Sequence, residues 1–311
     1  MPENSDSFDF VCFGALNADI MYFVEKLPEE DEESFILDVE VCSGGSAANT
    51  ASALAMFGNR VAFYGKTGRD DYGKMLVEEL KMFGVKPIVS YSSRSGKAIV
   101  LVDREGRRAI LVDPGANDEV DDYPRVESRI LHLTSFVCKE SDLPFRAQIS
   151  AAKAFKNVSL DPGAIYAGRK DVWELIENCN IFLPNAREIE KICGCGYRKG
   201  CEIALKKMKG DDKVVVVKLG SKGCYAVRER NGEREIAEVK AFHVKAIDTT
   251  GAGDAFNAGF LHAWIRGYGI KECCLTGNFV AGYSVQHRGA RSFPEREELE
   301  EFMENFRILE K

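Results

Sequence analysis

The feature that most constrains this chain's fold is an alternation in its second half. Short apolar runs at 130–133, 158–160, 181–183 and 214–218 are separated by stretches with helical spacing near 144–156, 170–179, 186–193 and 200–209. Runs with no polar alternation suit strands covered on both faces. Strands that alternate with helices pair in parallel, with the crossover helices packed above and below. The expected fold is therefore α/β: a doubly wound, mostly parallel sheet with helices on both faces.

The first half adds something smaller. Residues 11–14 read as a strand ending in glycine, 46–57 as an alanine-rich helix that stops at Gly58, 61–64 as a strand, and 72–83 as a helix ending at Gly84. Between and after them lie apolar runs at 20–24 and 35–42, parted by the acidic turn 28–33. The pair 98–102 and 109–112 is joined by Asp103-Arg104-Glu105-Gly106, a hairpin signal. We expect one domain over 1–311, with inserted strands at about 18–43 and 96–113 forming a small β-sheet lid. A small sheet is seldom stable alone, so its free face should be covered. The runs Ile20-Met21-Tyr22-Phe23-Val24 and Phe35-Ile36-Leu37 are apolar enough for a subunit interface, which suggests a homodimer through the lid.

Composition removes several function classes. A net charge of -7, spread diffusely, suits neither nucleic acid nor an anionic membrane surface. No run approaches the ~18 apolar residues of a membrane helix. The start of the chain, residues 1–9, is acidic and polar, unlike a secretory signal. Ten cysteines without an export signal suggest free thiols in a cytoplasmic protein. Cys179, Cys193, Cys195 and Cys201 lack the paired Cys-x(2–4)-Cys spacing of zinc sites, so packing around a helix is the expectation.

Chemistry concentrates in Asp248-Thr249-Thr250-Gly251-Ala252-Gly253-Asp254, which leads into a mostly apolar helix. Small residues let a phosphate approach the backbone, and the N–H groups and dipole of a helix start favour its charge. Gly251, Ala252 and Gly253 are placed to donate those N–H groups. Asp254 falls in the first helical turn, where the dipole favours the ionised form that accepts a hydroxyl proton. Local chemistry leaves a second reading equally open. Glycines before a helix can simply make a turn, and an aspartate in its first turn can simply complement the dipole.

This run resembles the C-terminal signature of the ribokinase-like (pfkB-type) carbohydrate kinase family, Asp-Thr-x-Gly-Ala-Gly-Asp. The resemblance extends along nearly the whole chain. Gly14-Ala15-Leu16-Asn17-Ala18-Asp19 is similar to the family's first strand and sugar-binding aspartate, and Gly44-Gly45-Ser46-Ala47-Ala48-Asn49 to its Gly-Gly signature. Gly65 to Gly73 resembles the turn after its second main strand. Pro184-Asn185-Ala186-Arg187-Glu188 resembles its Asn-x-x-Glu motif, and Lys218-Leu219-Gly220-Ser221-Lys222-Gly223 its nucleotide-binding strand end.

The resemblance implies an ATP-dependent kinase with Asp254 as base. Asn17, Asp19, Gly44, Gly45 and Asn49 would bind the sugar. Asn185, Lys218, Gly220, Gly223 and Asn278 would line the nucleotide. Glu188 would help place Mg2+, largely through water, consistent with that ion's retention of its hydration shell. Asn185 and Glu188 also have the spacing of a capping box. Asp248, Thr250, Val285 and Gly289, with Ser292 nearby, could supply oxygens to a monovalent cation such as K+. The substrate would be a small sugar, or a nucleoside on the same fold. Gly-Gly-Ser-Ala-Ala-Asn departs from the Gly-Gly-Lys-Gly-Ala-Asn of ribokinases, which puts ribose itself in doubt. A sugar acid is also conceivable, met by Arg169.

Three rival readings meet obstacles in the residues themselves. Gly65-Lys66-Thr67 ends like a P-loop, but the glycine that motif needs five residues earlier is Arg60. Gly194-x-Gly196 is followed by Gly200 and preceded by a helix, so it does not open a dinucleotide site. A silent sugar-binding protein on the same fold would not need to keep Asp254.

Overall fold

The structure, a computed structural model, describes residues 7–309; residues 1–6 of the acidic N-terminal segment lie outside the described residues. In chain order the strands and helices are β1 (Phe8–Phe13), β2 (Asn17–Val24), β3 (Ile36–Gly44), α1 (Ser46–Met56), β4 (Val61–Gly68), α2 (Asp71–Met82), β5 (Lys86–Ser92), β6 (Gly96–Val102), β7 (Arg108–Asp113), β8 (Ser128–Thr134), α3 (Leu143–Ala154), β9 (Val158–Asp161), α4 (Gly163–Tyr166), α5 (Trp173–Ile176), β10 (Ile181–Phe182), α6 (Ala186–Cys193), α7 (Tyr197–Lys207), β11 (Asp212–Lys218), β12 (Cys224–Arg230), β13 (Glu233–Val239), α8 (Ala252–Ile265), α9 (Ile270–Ser284) and α10 (Arg296–Leu309).

The main sheet has the order β13-β12-β11-β10-β9-β8-β1-β4-β5. It is parallel from β5 through β11, and an antiparallel hairpin, β12–β13, closes one edge. Alternate side chains of each strand enter opposite cores, as the pleat requires. Phe10, Cys12, Val214 and Val216 pack with α1, α8 and α9. Val11, Phe13, Val215 and Val217 pack on the other face with α3, α5 and α7. This double cover explains why the strands read as unbroken apolar runs.

The chain order runs outward from β1 in both directions, through β4 and β5 on one side and β8 to β11 on the other. Such a switch point opens a crevice beyond the carboxyl ends of the strands, where open α/β sheets bind ligands. The functional residues described below follow β1, β9 and β11.

The second sheet, β3-β2-β6-β7, is the expected lid. Two antiparallel hairpins are joined by a parallel pairing of β2 with β6 that runs Asn17↔Gly96 to Phe23↔Val102. One of its faces carries Val39, Val41 and Leu111, which the register places side by side and which are exposed by 46%, 45% and 62%.

Two differences from the sequence reading have local causes. The helix expected over 170–179 is a 3₁₀ turn at Lys170–Val172 followed by a single α-turn, α5. The hairpin β12–β13 went unread because charged residues crowd its second half, and the edge strand β5 because it is half-exposed and interrupted by Pro87. Among the described residues no helix is long and apolar enough to cross a membrane.

Candidate active site

The glycine run forms a tight entrance to α8. Gly251 is the N-cap, with φ 73°, and a Cβ there would press on the Ala290 backbone at 2.7 Å. Glycine is therefore required both by the left-handed backbone and by the close approach. The Ala252 N–H is engaged by Thr249 O at 3.3 Å. The N–H groups of Gly251 and Gly253 have no partner among the described residues, so two of the three expected donors remain open.

Asp254 lies in the first turn of α8 and is 8% exposed. The sequence reading expected the helix dipole to keep it ionised. Burial outweighs the dipole and pushes its carboxyl up to about 7. Hydrogen bonds from Asn49 and Ser46 and the charge of Lys218 oppose that rise, while the charge of Asp161 adds to it. A carboxyl poised near neutrality is what a general base at physiological pH needs.

The residues expected to bind a sugar converge on this aspartate. Asn49 Nδ2 donates to Asp254 Oδ2 at 2.9 Å, and its Oδ1 accepts from Arg291 Nε at 3.0 Å. Arg291 Nη1 in turn donates to Glu79 at 2.9 Å, and Glu79 accepts from Ser43 Oγ at 2.5 Å. Asp19, on β2, faces the same guanidinium. Burial raises its carboxyl to about 6, with Arg291 opposing. Gly44 is required beside it, because a Cβ at that position would run into the Asp19 carboxylate. Gly45, with φ 103°, turns the chain into α1. Asn17 Oδ1 accepts from Asn117 Nδ2 at 2.7 Å, which fixes its amide.

On the other side of Asp254, Lys218 closes β11 with its ammonium 2.5 Å from Asp161 Oδ2 and 3.2 Å from Asn257 Oδ1. Asn257 Nδ2 also donates to Asp161, at 2.6 Å. Burial alone would raise the Asp161 carboxyl. Lys218 and Asn257 outweigh it and hold the group below the usual carboxylate range. A Cβ built on Gly253 would lie 3.6 Å from Lys218 Nζ, so the ammonium stands beside the open N–H groups. Both favour an anion at the start of α8.

Asn185 and Glu188 form the capping box that their spacing allows. Asn185 Oδ1 accepts from the Glu188 N–H at 2.9 Å, and the Glu188 carboxylate accepts from the Asn185 N–H at 2.8 Å and from Nδ2 at 2.7 Å. Burial and the nearby Asp161 charge raise the Glu188 carboxyl. Two carboxylates of one sign near an anion hole are a setting that a hydrated cation relieves, so Glu188 fits Mg2+ held through water.

The residues read as a monovalent-cation set come together around the loop, and part of their oxygens are engaged by hydrogen bonds. Asp248 accepts from Thr250 N and Oγ1 and from Gly289 N. Val285 O accepts from both Ile247 N and Asp248 N. Ser292 Oγ donates to Arg288 O instead of joining them. These hydrogen bonds close the loop against the segment after α9.

The remaining residues singled out in the sequence make contacts of their own. The amide of Asn278 donates to the Val239 and Lys240 carbonyls and ties α9 to the end of β13. Gly220 and Gly223, with φ 61° and 95°, make the 3₁₀ turn after Lys218. Arg169 is held by Asp142 and Asp171 and stacked on Phe145, so it is not available to a substrate carboxylate. Cys179 and Cys201 pack in the core, and burial pushes both thiols up to about 12. Among the described residues no group of three or more His, Cys, Asp or Glu is gathered as for a metal ion.

Asp161, Asn257, Arg291, Glu79 and Asn117 were not anticipated. Asp161-Pro162-Gly163 ends a strand on the ligand side of the sheet, a readable signal. Arg291 and Glu79 carry none, since each acts through a contact more than 200 residues away along the chain or through a neighbour that itself does.

A doubly wound sheet, a small second sheet, and a helix start with open N–H groups beside a buried carboxylate have the form of a phosphotransferase. Comparison with known proteins gives the family. Residues 7–297 match the model described as pfkB family carbohydrate kinase. The chain is 40% identical over 247 residues to an uncharacterized sugar kinase of Archaeoglobus fulgidus, covering 76% of this chain and 96% of that one. It is 31% identical over 299 residues to an ATP-dependent ribose-1-phosphate kinase of Halopiger xanaduensis, covering 93% and 96%. A crystal structure of the Methanocaldococcus jannaschii nucleoside kinase, an archaeal member of the ribokinase family, superposes with a TM-score of 0.82 at 25% identity, covering 96% and 98%. The chain belongs to the pfkB family of carbohydrate kinases.

Proposed function

We propose that this kinase transfers the γ-phosphoryl group of ATP to a hydroxyl of a small sugar or sugar-containing acceptor, with Asp254 as the base. The observation that carries the reading is the placement of Asp254. It is buried at the start of α8, held by Asn49 on the sugar side, and flanked by the open Gly251 and Gly253 N–H groups and Lys218.

In the reaction the acceptor oxygen forms a bond to the γ-phosphorus as the bond to the bridging β–γ oxygen breaks. ADP leaves and the hydroxyl proton passes to an Asp254 carboxylate oxygen. The protein contributes mainly position and charge. Asn17, Asp19, Gly44, Gly45 and Asn49 orient the acceptor. Gly251, Gly253 and Lys218 stabilise charge on the transferring group, while Asn185 and the Gly220–Gly223 turn border the nucleotide. Magnesium, held through water near Glu188, supplies charge neutralisation of the phosphates when bound.

The nucleoside kinase likeness supports a second acceptor class, a nucleoside, because the same sugar-side residues would meet its ribose. The exposed apolar face of the lid supports a homodimer. The test of the base is Asp254→Asn: ADP release should fall by about 10²–10⁴-fold at saturating acceptor. Retention of full activity would sink this mechanism.

A further inference from the structure

The cleft between lid and body has a volume of about 720 Å³, and three arginines from separate parts of the fold line it: Arg108 on β7, and Arg288 and Arg291 after α9. Arg291 is the deepest, with its side chain 7% exposed. Its Nε and Nη1 are engaged by Asn49 and Glu79. Its Nη2 is buried and has no hydrogen-bond partner among the described residues. A buried donor left unpaired costs about 1–3 kcal/mol, so a charged group held this way calls for a partner that the protein itself does not supply.

The surrounding acids do not fill that role. Glu79 is shared between Arg291 and Ser43, and Asp254 is held by Asn49. Asp248 accepts two hydrogen bonds from Thr250 and one from the Gly289 N–H, and Arg108 stays 3.9 Å from it. Glu40 lies on the wall, and Asp19 faces the guanidinium without bonding to it. Burial holds the Arg291 guanidinium below its usual value despite these neighbours, the mark of a cation not fully compensated. Arg288 is exposed and its side chain has no partner among the described residues.

We propose that the acceptor carries an anionic group, a phosphate ester or a carboxylate, which Arg291 holds inside the cleft while Arg108 and Arg288 meet it at the rim. This deepens the kinase reading and rests on it. Arg169, the arginine that the sequence offered for such a group, is already paired. Arg291 stands on the sugar-side wall, one residue removed from the base. An anion there would also bridge body and lid through Arg108.

The experiment has a binding arm and a turnover arm. Ribose, ribose 1-phosphate, ribose 5-phosphate and ribonate are titrated by calorimetry into the full chain without nucleotide, and each is then assayed for ADP release with ATP and Mg2+. At least one anionic compound should bind about 30-fold more tightly than ribose, the scale of charge-assisted hydrogen bonds. The phosphate and carboxylate arms identify the group. Arg291→Met should abolish the preference. Arg108→Ala with Arg288→Ala, at the exposed rim, should reduce it several-fold even if the Met variant does not fold. Equal binding of ribose and all three anions, or a preference that survives these substitutions, overturns the proposal. Failure of the kinase reading looks different: anions are preferred in binding, yet no acceptor releases ADP.

Discussion

Asn49 Nδ2 donates to Asp254 Oδ2 at 2.9 Å, joining the Gly-Gly segment of the N-terminal half to the glycine loop of the C-terminal half across 205 positions of sequence. The amide cannot turn over without breaking two contacts, because its Oδ1 accepts from Arg291. The bond favours the charged form of Asp254. Asn49→Ala should therefore raise that carboxyl further and move the acidic limb of the kcat profile to higher pH. At pH 7 we expect kcat to fall about 10- to 100-fold, since a positioned hydrogen bond to a reacting group is worth roughly 1.5–3 kcal/mol. An unmoved limb would argue that Asn49 serves only the substrate.

The pH dependence of stability has a definite sign. An unfolded aspartate titrates near ~3.9, and Asp254 in the fold titrates at about 7. The native state therefore holds a proton that the unfolded chain lacks between these values. Stability from this group is complete below about pH 4 and is lost as pH rises through 7. Asp254→Asn should melt higher than the parent at pH 8, and the difference should vanish near pH 4. Differential scanning calorimetry at the two pH values checks this. A cost in stability at this position is the trade expected if Asp254 serves as the proposed base.

The Lys218–Asp161 pair gives a different outcome. Both side chains are nearly buried, 12% and 10% exposed. Lys218→Met removes one partner and leaves a buried carboxylate with only Asn257. We expect a loss of about 3–5 kcal/mol of stability, read by urea unfolding, together with loss of phosphoryl transfer. Adding Asp161→Asn should restore most of the stability and none of the activity. If the double variant is as unstable as the single one, the damage lies in packing and not in the uncompensated charge.

The lid presents Leu111 at 62% exposure on the same face as Val39 and Val41, at 46% and 45%. Burying such a face against a second copy would contribute roughly 25 cal/mol per Å² of apolar area. Sedimentation should show a dimer, and Leu111→Glu should give monomers, because a charge on that face would have to be desolvated. A wild-type monomer would mean that the face is covered in another way.

Much of this was legible before any coordinates. The βα alternation, the lid insertions, the glycine entrance to α8 and the Asn185–Glu188 cap are all local patterns, and each arises from backbone geometry within a few residues. What escaped was of two kinds. Edge elements such as β5 and the β12–β13 hairpin carry polar, half-exposed patterns that resemble loops. Arg291, Glu79, Asn117 and Asn257 act through contacts between segments far apart in the chain, and side-chain identity alone does not record them. The role offered for Arg169 failed for the same reason, since its partners Asp142 and Asp171 are decided by packing.

The sequence by itself determined the fold class, the place of the glycine loop and the position of Asp254 in it. Those follow from periodicity, glycine conformation and a seven-residue motif. Only the tertiary structure decided the state of that aspartate. Burial moved it toward neutrality against the helix dipole, and Asn49, Lys218 and Asp161, brought together from α1, β11 and β9, set the balance. Desolvation and charge act through space, so they exist only once the chain has closed around the site.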